Sequence, residues 1–393
     1  MSEISLAAMI ELAETLRDQG RPNEVFNMLS PFVDSEGATD SEKIGIRITV
    51  SKALLDLGRM NEAVLLLKAA RTYIQDLSGD KRAAHLELLL AFLEIQMSHS
   101  AKPLGIVESI LHKARLNKWI DIEADCLAMK AHIMELRGDY EAALGLFQQA
   151  LERARIAQNL KRQVTTLSDI ARVRGILGQY SSAFEALEES SKIAKHTSLS
   201  KSIIVNKYRE ALLKMAIGDY DQGLRQLELV EHQAAELSLP DPQSAALHQL
   251  GLFYLRSGKY HEALSMLSKG KEIASHAGLA RQQIYIQLSL ARLFRETGNQ
   301  QKSIAELTEL WGRLQPLEDG RLEPIPEFLR ELALNLTIEK SKELLQCAGE
   351  ADEIASISGI YEDFTAKQRK LQSFLDGLPS VITRTLSHLS SAD

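Results

Sequence analysis

The chain has 393 residues and carries 46 Lys and Arg against 53 Asp and Glu, a formal charge of −7. Its 45% apolar and 25% charged residues are ordinary for a folded chain and exclude collagen and disorder. Two cysteines, Cys126 and Cys347, cannot staple a disulfide scaffold or make a zinc site by themselves, so a reduced, cytoplasmic protein is the expectation.

Residues 1–20, MSEISLAAMIELAETLRDQG, read as a first helix. They hold Glu3, Glu11 and Glu14 and no basic start, which argues against a secretory leader. No apolar run approaches the roughly 18–20 residues of a membrane span. Further along, Gly138, Gly178, Gly218, Gly258 and Gly298 are spaced 40 residues apart without a slip. Gly58 lies two periods before Gly138, Gly20 lies 38 residues before Gly58, and Ser98 stands at the missing position. With 22 glycines in 393 residues, four further hits at one fixed period arise by chance about once in 10^5 per starting glycine. A length of roughly 100–200 residues per domain would predict two or three globular domains. The period replaces that expectation with about eight units of 40 residues over 1–315, turning at 20, 58, 98, 138, 178, 218, 258 and 298.

Each turn glycine opens a second apolar-periodic run, as in RGDYEAALGLFQQAL and SGKYHEALSMLSKG. A run of about 15 residues with helical spacing precedes it, such as Leu127, Ala131 and Met134 before Gly138. That pattern is helix–turn–helix, with glycine where the backbone needs a positive φ. The array changes after Pro316. Residues 316–326 form a proline-rich connection, and 327–393 are expected to hold a diverged repeat plus C-terminal capping helices, because terminal repeats need a polar outer face.

These segments resemble tetratricopeptide repeats. Around Gly138 the family's small and bulky positions are Ala131, Ala143, Phe147 and Ala150; around Gly258 they are Gly251, Ala263, Leu267 and Gly270. The period of 40 exceeds the usual 34 and is similar to the longer repeats of kinesin light chains and of bacterial regulators related to the maltose activator. The stretch near Ser98 departs most, with Pro103 in place of the Ala, although a helix starting near Lys102 stays open. The resemblance implies an all-α, right-handed α-solenoid of antiparallel helix pairs, a TPR-like superhelix whose first helices line a concave groove.

Catalytic chemistry is not expected, so the chain is predicted not to be an enzyme and to need no cofactor or metal. Gly251 and Gly258-Lys259 mimic a phosphate loop, but six residues separate the glycines where that loop needs four. There is no HExxH or GxSxG, and the ten histidines are scattered.

The family places groove residues 13, 10, 6 and 3 positions before each turn glycine. Carried over here, the candidate partner-binding residues are His132, Ser168, Arg172, Tyr208, His248, Tyr285, Arg292 and Arg295. Arg forks grip carboxylates and Tyr holds apolar side chains, so a protein or peptide with acidic and apolar positions is the expected partner. An equal alternative is that Arg292 and Arg295 only pair with neighbouring acids such as Glu296. The Lys/Asn carboxylate clamp of chaperone-binding relatives is replaced by Ser168/Arg172 and His248/Leu252. From Arg153 to Lys214 twelve Lys or Arg face five Asp or Glu, a net of +7 that leaves −14 for the rest. That block could steer an acidic partner or be a solvated face. Direct nucleic-acid binding is not expected of an acidic chain without such a module. Two functions stand: a non-catalytic binding scaffold or adaptor, or a bacterial regulatory receptor that binds a short signalling peptide and controls a transcription factor or response regulator. No obvious N-terminal DNA-binding motif precedes the repeat-like sequence that begins by Leu6, so a receptor is expected to act through a partner or to be one part of a larger regulator. Oligomeric state is left open.

Overall fold

The computed structural model describes residues 5–35, 37–74, 81–98, 103–314, 325–335, 345–349, 381–382 and 385. Among them there is no strand. The helices form the right-handed α-solenoid that the repeats imply. The first three pairs are α1 (Leu6–Asp18) with α2 (Pro22–Leu29), α3 (Asp40–Asp56) with α4 (Met60–Ala70), and α5 (Lys81–Ser98) with α6 (Leu104–Leu116). A strict beat then sets in. Helices α7 (Ile120–Leu136), α8 (Tyr140–Ile156), α9 (Leu160–Ile176), α10 (Tyr180–His196), α11 (Ser200–Ala216), α12 (Tyr220–Glu236), α13 (Pro240–Arg256), α14 (Tyr260–His276) and α15 (Ala280–Glu296) follow. Each has 17 residues and each joint has three. Helix α16 (Gln300–Leu314) pairs with α15, and α17 (Ile325–Leu334) also packs on α15.

Every three-residue joint uses one geometry. At Gly138, φ is 78°, the Gly138 N–H donates to the Glu135 carbonyl and the Asp139 N–H to the Met134 carbonyl. These are the paired bonds of a Schellman stop, which satisfies carbonyls the helix end would leave orphaned. The other turn glycines, from Gly20 to Gly298, share the positive φ. The joints between repeats repeat the geometry half a period later, at Lys118, Gln158, Ser198, Ser238 and Gly278. Four of those five are not glycine, which hid this second series in the sequence. Several last residues of a joint also cap the next helix: Asp139, Asn159 and Asp219 accept from the backbone N–H three residues on.

The small positions set the helix spacing. Ala131, Ala143, Phe147 and Ala150 are all fully buried, as are Ser51, Ala63, Leu67 and Ala70. A Cβ on Gly251 would stand 2.6 Å from Leu267 Cγ, so only glycine lets α13 and α14 approach this closely. Helix α6 begins at Leu104, capped by Pro103. The turn expected at Ser98 runs into 99–102, outside the described residues, as do most of the proline-rich connection and most of 327–393.

The solenoid closes on itself. Gly20 lies against Ser200 and Leu237, and Gly58 against Pro240 and Ala277. Thus the turn of each of the first two repeats wedges between two successive inter-repeat joints more than four periods later. A Cβ on Gly58 would come within 2.9 Å of Ala277 Cα and would overlap the Ala277 Cβ. Ion pairs follow the same register. Lys161 pairs with Asp18, and Lys201 Nζ is 2.5 Å from Asp56 Oδ1, separations of 143 and 145 residues.

Candidate functional site

The first helices α7, α9, α11, α13 and α15 form the inner wall. Three predicted residues, His132, Ser168 and Arg172, meet there in one polar network. Arg172 pairs with Glu135 and reaches Asp169 at 3.5 Å. His132 lies between the same two carboxylates, Nδ1 3.6 Å from Glu135 and Nε2 3.4 Å from Asp169. Arg209 on α11 completes the set, with Nη1 2.5 Å from Ser168 Oγ and Nη2 2.9 Å from Asp169 Oδ1. Burial alone would raise the Asp169 pKa, but His132 and Arg209 outweigh it and hold the carboxyl at about 2. The network therefore tethers three consecutive first helices, and Arg172 carries intramolecular partners.

Tyr208, His248 and Tyr285 lie farther along the same wall. Burial, reinforced by Asp241, pushes the Tyr208 phenol up to about 12, so it stays protonated and bonds to Gln249. Asp241 is exposed to solvent but ringed by protein, and this enclosure raises its pKa despite Lys201 and Arg281 nearby. Burial drops the His248 pKa to about 4, so its imidazole is neutral. His248 Nε2 sits 2.9 Å from Ser289 Oγ, whose hydroxyl donates to the Tyr285 carbonyl. Arg292 pairs with Glu296 at 2.8 Å and Arg295 with Glu331 at 2.5 Å. The second pair ties α15 to α17. Both arginines thus carry intramolecular partners.

Where the first repeats meet α9 and α11 there is a cavity of about 330 Å³. Its walls carry Arg17, Asp18, Asp56, Lys161, Lys201 and Arg209 together with Phe92, Val164, Leu199 and Val205. Asn206 also lines it, with a buried Oδ1 that has no hydrogen-bond partner. The volume falls at the lower end of ligand pockets. Among the described residues, no group of three or more His, Cys, Asp and Glu could hold a metal ion, and no helix is long and apolar enough to cross a membrane. Cys126 and Cys347 are not joined in a disulfide, and burial pushes the Cys126 thiol up to about 12.

The sequence positions carried over missed two columns. Asp169 and Arg209 both lie nine before their turn glycine, and Lys161 and Lys201 both lie seventeen before it. The signal was present as charged residues recurring at a spacing of 40, but only the observed closure gives the second column an inward role.

Tetratricopeptide repeat family models match residues 124–196 and 246–269. Comparison with curated proteins gives no match. Among solved structures the chain is similar to a Rap protein complexed with Competence and Sporulation Factor. That match has 13% identity and a TM-score of 0.65, and it covers 90% of this chain and 99% of that one. It is also similar to the apo quorum sensor NprR from B. thuringiensis, with 11% identity, a TM-score of 0.50, and 86% and 99% covered. A third similarity is to the APC/C hetero-tetramer Cut9–Hcn1, with 14% identity, a TM-score of 0.51, and 82% of this chain but 55% of that one covered.

Proposed function

Because the chain belongs to the tetratricopeptide repeat family, we propose that it is a non-catalytic, cytoplasmic adaptor that binds a protein or peptide segment on the inner wall of its superhelix. The observation that carries this reading is the inner wall itself. On α11, α13 and α15 it lines up Tyr208, His248 and Tyr285, half-buried side chains with apolar faces and polar tips. Arg209 and the His132–Asp169–Arg172 network border them and hold the first helices of that wall in place. Extended concave surfaces of this kind are what stacked repeats use for recognition.

Titration of a peptide library into the purified chain tests it. A tight binder that loses affinity in Tyr208→Ala and His248→Ala, with helical content unchanged, is the expected result. A folded protein that co-purifies and is indifferent to both changes would move the site to the convex face. Turnover of a substrate would overturn the non-catalytic reading.

A second reading, a regulatory receptor that binds a short signalling peptide and controls a transcription factor or response regulator, draws on the near full-length similarity to the Rap protein and NprR. Its separate expectation is that the bound segment changes the pitch of the coil.

A further inference from the structure

The net charge of +7 between Arg153 and Lys214 left an acidic partner and a solvated face both open, and the closed coil supplies acidic partners from within the chain. Asp18 holds Lys161, and Asp56 holds Lys201 at 2.5 Å. Glu14 stands 3.9 Å from Lys161. Asp56 is enclosed between Lys201 and Arg17 Nε, the latter at 2.6 Å, with only 5% of its side chain exposed. The lysines differ: about 40% of each side chain reaches solvent. Both lysine side chains are therefore more open to solvent than their partners, Asp18 at 29% and Asp56 at 5%. The two pairs are one repeat apart on both partners, so the docking is a repeated interaction in register.

We propose that the first two repeats are a displaceable occupant of the basic stretch of the groove. Their carboxylates hold Lys161 and Lys201 in the closed coil, and an acidic segment gains those lysines by lifting α1 and α3 off the joints at 197–200, 237–240 and 277–280. The partner half of this statement rests on the segment-binding reading above; the closure half stands apart from it. The contacts that must break include the glycine turns against Ser200, Leu237, Pro240 and Ala277 and the carboxylate pairs of Lys161 and Lys201. Such partly solvated pairs are individually weak and screened by salt, which suits a contact meant to exchange.

A disulfide reads the closure. A Cβ at Gly278 would lie 3.8 Å from Met60 Cβ, the usual spacing across a disulfide. The positive φ at 278 is tolerable for cysteine, since Gln158, Ser198 and Ser238 hold the equivalent conformation. The background is Cys347→Ser with Cys126 retained, because that thiol is fully buried. In Met60→Cys/Gly278→Cys, disulfide formation at low salt is expected to slow about tenfold when Lys161→Glu and Lys201→Glu are added. The swap Asp18→Lys with Lys161→Asp is expected to recover most of the lost rate relative to Lys161→Asp alone. Equal rates in all variants with matched helical content would overturn the closure half. The reduced protein is then expected to bind a short poly-L-glutamate peptide about tenfold more tightly than the oxidised, locked form. Equal affinity, or tighter binding to the locked form, would overturn displacement while leaving segment binding itself intact.

Discussion

At the scale of single residues, the joints store strain that substitution should release. Gln158, Ser198 and Ser238 hold φ between 52° and 55°, a region that costs a side-chain-bearing residue roughly 1–2 kcal/mol. Each of Gln158→Gly, Ser198→Gly and Ser238→Gly should therefore raise stability by about 1 kcal/mol, less some glycine entropy in the unfolded chain. Gly138→Ala, in the same geometry with nothing near its Cβ, should lose about as much. Urea midpoints decide both. The buried titratable groups set a pH dependence. The folded pKa values of His85 and His248 are lowered to about 4 by burial, so the unfolded chain takes up protons first. Their contribution is complete above about pH 6.5 and is lost as pH falls toward 4. Asp169 and Glu14, depressed to about 2, keep their stabilisation above about pH 4 and lose it below. Urea midpoints should thus fall in two stages on acidification, and His248→Gln should flatten the first. The turn glycines were legible in sequence because they recur as one letter from period to period, whereas Lys118, Gln158, Ser198 and Ser238 share a conformation but no one letter common to all.

At the scale of helices, spacing is set where no side chain fits. Gly251→Leu must displace Leu267 from the α13–α14 contact and should cost about 2–3 kcal/mol, seen as a lower thermal midpoint. Tethers across helices obey a different rule. Arg209→Ala strips Asp169 of one cation and leaves a buried carboxylate short of partners, at about 2–3 kcal/mol. Pairing it with Asp169→Asn should recover part of that loss, and the double-mutant cycle measures how much. Helix positions, the small columns and their burial were readable because they depend on neighbours within one period. The groove was readable only in part. Arg172 could be placed on the inner face, but its Glu135 partner lies on the preceding first helix, 37 residues back. Which carboxylate an arginine reaches depends on helix rotation that a spacing rule does not contain.

At the scale of the whole molecule, neighbour-to-neighbour packing would leave an open coil whose stability is a sum over repeats. The wedges at Gly20 and Gly58 add a term between repeats far apart in sequence. Gly58→Val should therefore widen the molecule, seen as a larger radius of gyration in solution scattering, while helical content stays the same. No sequence period predicts that contact, because it depends on superhelical pitch.

Met60 meets Gly278 after 218 residues, which is close to five and a half units of 40. A half-integral interval brings an in-repeat turn against a between-repeat joint, so unlike surfaces meet and the coil advances like a lock washer. This has a consequence for descent by duplication. An open repeat array can gain or lose a unit almost anywhere, because each new copy finds an equivalent neighbour. Here a unit gained or lost between Met60 and Leu237 would put both wedges on the wrong joints, whereas one added beyond Gly298 would leave them untouched. Copy number between those two points is therefore expected to be constrained as one quantity, and comparison of related chains should show length varying chiefly beyond Gly298.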